Sequence, residues 1–395
     1  MKHFSNILRP MFIMILVSFV AATVNAQNTF YYNAYKTWTS DLERKANEGT
    51  NVMAIVSLGS CYDRADGVAL DRQKAFNLFK KAADMGDVLA KYNLGLYYSR
   101  GYCGKADNII AIQLFEQALR VDKKFGPAYL TLAQIYERGG AGVDVNIDKA
   151  FATWLQLANL GDSYGQYNVG RYHWQGIGRP RDISKAKEYY LLSAKQGNLM
   201  AMDNLSSCLL EEKNYNDAYY WLQKAYDKGA KYVCHNLADM YYWGNGIAKS
   251  YEKAYAIFEE GAETNPRCKY RLSVMLMNGE GVQKDPQKAI TLLSEAAEAG
   301  IDKAQYQMGV YFYSGDFVTQ SYEKAVNYFK LALESKFLLD DAKGDLCKRL
   351  SACYRFGRGV EANETLADKY SRMAASFGNS DAVKIQQWLN PSPHK

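Results

Sequence analysis

Aliphatic, small and bulky positions recur along the chain at a spacing of about 35 residues. A small residue follows an aliphatic one at Gly59, Gly95, Ala133, Gly170, Ser206, Ala238, Ser273, Gly309 and Ser351. Three residues later stands Tyr62, Tyr98, Tyr136, His173, Leu209, Tyr241, Leu276, Phe312 or Tyr354, and six residues after the small one Gly appears in seven of the nine units. A second column is stricter: Ala75, Ala111, Ala150, Ala186, Ala218, Ala254, Ala289, Ala325 and Ala367. Four residues before each Ala stands Asp71, Asp107, Asn146, Asp182, Asn214, Ser250, Asp285, Ser321 or Asn363. All are side chains whose oxygen satisfies an orphan N–H at a helix start. Eleven residues after the Ala, Gly86, Gly161, Gly197, Gly229, Gly300 and Gly378 supply a left-handed stop, and Asn265 is expected to fill that role in a further unit.

The pattern predicts nine helix pairs: helix A, a turn containing Gly, a capped helix B and a Gly stop. One such pair cannot bury its apolar face alone. Stacked pairs share a core, which lets 395 residues fold without separate globular domains. The expected fold is all-α, an α/α solenoid over residues 51–379. Residues 27–50 form an N-terminal capping helix containing Leu42, and residues 380–395 a C-terminal capping helix and tail.

These columns resemble the Sel1-like repeat family, a relative of the tetratricopeptide repeat. Unit seven carries Leu272, Gly279, Gly281, Val282, Asp285, Lys288, Ala289, Ala296, Ala297 and Gly300. Unit four carries Tyr167, Asn168, Val169, Gly170, Gly176, Gly178, Asp182, Lys185, Ala186, Tyr189 and Tyr190. Unit five is short and lacks the Gly-x-Gly turn, which makes it more like a tetratricopeptide unit.

The first residues read as an export signal: Lys2 and Arg9 flank the start, Met11 to Ala22 is apolar, and Val24, Asn25 and Ala26 suit cleavage after Ala26. The run is short for a membrane span, which takes about 20 residues, so no stable membrane anchor is expected after cleavage. The location expected is periplasmic or secreted. Net charge is +6, falling to +4 without the first 26 residues, and it is spread along the chain. Nucleic acid, which wants a concentrated basic face, is not an expected partner.

Candidate chemistry changes little. Ser250 to Lys253 and Ser321 to Lys324 match Ser-x-x-Lys, a nucleophile motif. Both serines stand in the column that caps helix B, so one cause covers all nine units. His173 fills the bulky column and His235 lies on a helix A; neither has the companions a metal site needs. No cofactor is expected, and no enzyme activity. Among seven cysteines, Cys234 and Cys268 fall near the start of adjacent A helices and are the best disulfide pair; buried free thiols are the alternative.

In the tetratricopeptide relatives helix A lines the concave face, and ligands lie along it. The resemblance therefore implies an inward row that includes Asn93, Asn168, Asn204, Asn236 and Arg271. Flanking slots add Tyr92, Tyr167, Trp174, Tyr242, Trp243, Tyr270, Tyr306 and Tyr313. Amides and large aromatic rings suit recognition of a protein or peptide. Aromatic stripes at helical spacing equally suit core packing. The function expected is a non-catalytic exported scaffold for protein–protein interaction. The alternative is a binder of glycan or cell wall (peptidoglycan), with weak β-lactam or cell-wall hydrolase activity.

Overall fold

The computed structural model describes residues 37–377. The expected signal segment and the C-terminal capping helix lie outside the described residues. Within them the secondary structure is helical, with one isolated β-bridge between Gly140 and Val143 in a turn.

The chain divides into two compact units, 1–198 and 199–395. Unit one holds a short capping helix, α1 (Ser40–Asn47), and four A/B pairs. These are α2 (Val52–Arg64) with α3 (Arg72–Asp84), α4 (Val88–Arg100) with α5 (Asn108–Val121), α6 (Gly126–Arg138) with α7 (Ile147–Asn159), and α8 (Ser163–Gln175) with α9 (Ile183–Lys195). Unit two holds five pairs: α10 (Leu199–Glu211) with α11 (Tyr215–Asp227), α12 (Cys234–Trp243) with α13 (Tyr251–Ala262), α14 (Pro266–Asn278) with α15 (Pro286–Glu298), α16 (Asp302–Ser314) with α17 (Tyr322–Leu333), and α18 (Asp340–Phe356) with α19 (Glu364–Ser376). The A helix α12 is shortened, and a 3-10 turn at Lys231–Val233 precedes it.

Each B helix starts where its cap stands. Asp71 accepts from the Lys74 amide at 2.9 Å, Asp285 from Lys288 at 2.9 Å and Asn363 from Leu366 at 2.9 Å; the other six cap residues do the same. The cap residue's own N–H reaches back to the carbonyl of the bulky column on helix A, as from Asp71 to Tyr62 at 3.0 Å and from Ser250 to Tyr241 at 2.9 Å. This second bond recurs in all nine repeats and sets the angle at which B leaves A.

The small column on helix A has a specific cause. A Cβ on Gly59, Gly95, Gly170 or Gly309 would lie 2.9, 2.6, 2.7 or 2.5 Å from the ring of Phe79, Phe115, Tyr190 or Phe329. Each ring stands four residues after the invariant Ala of its B helix. The small residue thus admits an aromatic ring, and the Ala, fully buried in all nine repeats, lets the helices close around it. In unit one the core runs continuously from Leu42 through Phe79, Tyr97 and Phe115 to Ile135.

Two turn positions depart from expectation. Where Gly ends helix A elsewhere, Ala65 takes the left-handed conformation (φ 59°) in the first repeat and Lys213 (φ 60°) in the fifth. Asn265 is not a left-handed stop. It is extended (φ −122°), and its side chain caps α14 by accepting from Arg267 N at 3.0 Å. Pro266, at the first position of α14, disfavours a helical or left-handed residue before it.

Candidate functional site

Consecutive A helices face one another along one side of each unit, and polar side chains bridge them. In unit one Tyr97 OH donates to Asp63, Tyr92 OH lies 3.4 Å from Thr131 Oγ1, and Arg171 pairs with Glu137, which also accepts from Trp154 Nε1 at 3.3 Å. In unit two Asn236 Nδ2 donates to Asp203 Oδ1 at 3.4 Å, Tyr242 OH to Glu280 Oε2 at 2.7 Å and Tyr306 OH to Asp345 Oδ2 at 3.2 Å. These groups are partly buried between repeats, where polar groups are costly unless paired.

Several expected contact residues are therefore spent on the fold. Tyr92, Tyr242, Tyr270 and Tyr306 are buried, and at those four positions the aromatic stripe is core. The Tyr92 ring packs on Phe115 and Phe125 with centroids 5.5 and 5.4 Å away. Asn168 is only 3% exposed; it donates to the Tyr164 carbonyl at 2.9 Å and accepts from Arg171 Nε at 3.2 Å. Its amide holds helix α8 and its neighbour Arg171 in place.

The others reach solvent in part. Asn93, Tyr167, Trp174, Asn204, Asn236, Trp243, Arg271 and Tyr313 are half-buried. The Arg181 guanidinium covers the Trp174 ring at 4.3 Å, and Arg349 covers Tyr313 at 5.1 Å. Tyr167 leans on Tyr164 and Tyr190 at 6.0 Å each.

The richest cluster lies on α10, α12, α14 and α16 of unit two. Arg271 Nε stands 2.9 Å from Asp239 Oδ1 in an ion pair, and among the described residues Arg271 Nη1 is buried with no hydrogen-bond partner. The guanidinium lies over the Tyr242 and Trp243 rings at 5.7 and 5.5 Å. Burial, with the Arg271 charge beside it, pulls the Lys303 ammonium down to about 8. Burial pushes the Asp203 carboxyl up to about 6. His235, between Asn265 and Arg267, is pulled below its ordinary range by burial and by the Arg267 charge. Asp203, His235, Asp239, Arg267 and Lys303 were not among the residues expected here. Their signal lay in charged residues placed next to the inward slot of helix A, a slot otherwise rich in amides.

This cluster offers hydrogen bonds, charge and a Trp face rather than an activated nucleophile. The Ser250 and Ser321 hydroxyls accept from the amides of Lys253 and Lys324 at 3.2 and 3.3 Å. The two ammonium groups lie instead over the Tyr241 and Phe312 rings at 5.4 and 5.2 Å. Among the described residues no group of His, Cys, Asp and Glu is placed to hold a metal ion, and no helix is long and apolar enough to cross a membrane.

Comparison with known proteins agrees with this architecture. The chain is 28% identical over 243 residues to chitin synthase regulatory factor 3 of Schizosaccharomyces pombe, covering 58% of this chain and 26% of that protein. It is 30% identical over 272 residues to DAP3-binding cell death enhancer 1 of Rattus norvegicus, covering 67% of this chain and 50% of that protein. The chain thus spans half or less of the length of these curated relatives. A crystal structure of a protective antigen from uropathogenic Escherichia coli, which displays an SLR fold, superposes with a TM-score of 0.66 at 24% identity, covering 88% of this chain and 85% of that one. The Sel1 repeat matches at residues 52–87, 88–120, 127–162, 163–198, 200–229, 232–264, 266–301, 302–336 and 345–379. With every helix pair from α2 to α19 so matched, the chain belongs to the Sel1 repeat family.

Proposed function

We propose that the chain is an exported, non-catalytic scaffold that holds a segment of another protein against the A helices of unit two. The observation that carries this reading is Arg271. Its guanidinium is held between Asp239 and the Tyr242 and Trp243 rings, and among the described residues its Nη1 has no hydrogen-bond partner. A charged group kept in poorly hydrated surroundings lowers stability unless something repays it, and a binding partner does so. Half-buried Asn204 and Asn236 stand on the neighbouring A helices, suited to the amide groups of an extended chain. The relatives fit a protein partner, since two carry regulation of chitin synthase and binding to DAP3 in their names.

Export rests on the charged start, the apolar run from Met11 to Ala22 and the small residues before Gln27. The test is affinity capture from the cell envelope with the wild-type chain and with Asn204→Ala/Asn236→Ala/Trp243→Ala. The reading expects one protein to be captured in quantity by the wild type and lost from the variant at unchanged helicity. Equal capture by both, or retention of polysaccharide alone, contradicts it.

A further inference from the structure

All seven cysteines are free thiols in this structure and six are buried; two of these, Cys234 and Cys268, flank the same glycine. Cys234 opens α12 and Cys268 stands in the first turn of α14, so they belong to consecutive A helices of unit two. Between them lies Gly261, near the end of α13 and seven residues after the invariant Ala254. In the other eight repeats that slot holds Ala82, Ala118, Leu157, Ser193, Ala225, Ala296, Ala332 or Ala374. Glycine is the costlier choice in a helix interior, so its presence here calls for a steric reason.

The reason is the two cysteines. A Cβ on Gly261 would lie 2.7 Å from Cys268 Sγ, 2.7 Å from Cys234 Cβ and 3.5 Å from Cys234 Sγ. Both side chains thus converge on the space that every other repeat fills with a B-helix side chain. Helices α12 and α14 come within 8 Å of each other between Cα atoms; a disulfide holds its two Cα atoms about 4.4–6.8 Å apart, so closing one here fixes the two helix starts at the short end of that approach. The remaining thiols are placed otherwise: Cys103 is exposed in a turn, Cys61 and Cys208 lie on separate A helices, and Cys347 and Cys353 share one helix.

We infer that Cys234 and Cys268 form a disulfide that staples the sixth and seventh repeats across Gly261. The oxidant is a small-molecule or protein disulfide. One cysteine thiolate attacks it, forming a mixed disulfide and releasing one thiol. The second cysteine attacks the mixed disulfide, closes the protein S–S bond and releases the other thiol. Two protein thiols are oxidised, one external disulfide is reduced to two thiols, and the protons balance. The exchange takes place before the A helices close. In the folded, reduced pair, burial pushes Cys234 up to about 11 and Cys268 up to about 12, leaving little thiolate to react.

The test is refolding of the reduced, denatured chain in a glutathione redox couple, followed by alkylation and peptide mapping once the helical signal has returned. The expected result is five alkylated cysteines of the seven, with a reductant-sensitive peptide pair joining Cys234 to Cys268. The melting temperature should fall by several degrees when reductant is present. Cys268→Ser should refold with all six remaining thiols free and a melting temperature that reductant does not change. Seven alkylated thiols, or a link between any other pair, overturn the inference. A non-reducing peptide map of the chain produced through an oxidising secretory compartment gives a second measurement with the same two outcomes, whether or not refolding succeeds.

Discussion

Arg271 Nε lies 2.9 Å from Asp239 Oδ1, joining the A helices of the sixth and seventh repeats through a pair whose arginine side chain is 11% exposed. Removing one partner leaves the other charge poorly hydrated and alone. Asp239→Ala should therefore cost about 1.5–3 kcal/mol. Asp239→Leu with Arg271→Met should cost less than the two single changes summed, because no unpaired charge remains. Urea unfolding of wild type, Asp239→Ala, the Asp239→Leu and Arg271→Met single variants and their double variant measures both quantities. Additive losses would show that the pair is not coupled.

Asp203 gives a pH dependence of the opposite sign to that of a salt-bridged carboxylate. Its folded value, about 6, stands above the unfolded value of 3.8, so the folded state prefers the protonated form. The stabilisation is complete below the unfolded value and is lost as pH rises through 6. The contribution is roughly 2–3 kcal/mol between the two limits. Asp203→Asn keeps an acceptor for Asn236 and removes the titration. The expected outcome is a variant more stable than wild type at pH 7, with little difference near pH 4, read from urea midpoints across that range.

Ser250→Asp should leave stability unchanged, since Asp fills the same capping position in other repeats. Ser250→Ala should lose about 0.5–2 kcal/mol. Neither change should alter a β-lactam turnover assay, because the Ser250 hydroxyl is engaged by the Lys253 amide. Thermal unfolding and that assay check the two halves separately.

Gly95→Ala tests the close approach of A to B. Alanine is the better helix former by about 0.8–1 kcal/mol. Its methyl group, however, would fall 2.6 Å from the ring of Phe115, which is fully buried. The expected net effect is a loss of about 1–3 kcal/mol. A gain in stability would show that the ring moves aside.

Much of the fold was legible because it repeats. Nine copies of one cap, one Ala and one small residue leave a single arrangement that satisfies all of them, and the capping bonds from Asp71 to Asn363 stand where the pattern placed them. Single events without copies were harder to read. Asn265 stands in the column of the Gly stops but caps the next helix, because the Pro266 that follows it makes left-handed backbone unfavourable. The inward row was only half legible for a related reason. Spacing places Tyr92 and Tyr306 on the A face, but their burial depends on the next repeat, whose Thr131 and Asp345 lie against their hydroxyl groups. The charged residues around Arg271 were visible beside the inward slot of helix A, but their meeting depends on four helices at once.

The A-helix face of unit two is where a protein partner is proposed to lie. Photo-crosslinking tests it most directly, with the reactive side chain placed at Asn204 on helix α10 and, as the comparison, at exposed Ala256 on helix α13. A crosslink to one protein is expected from position 204 and none from position 256, and the crosslink should be lost when Asn236→Ala and Trp243→Ala are added. Crosslinking that is equal from both positions, or confined to position 256, would contradict it.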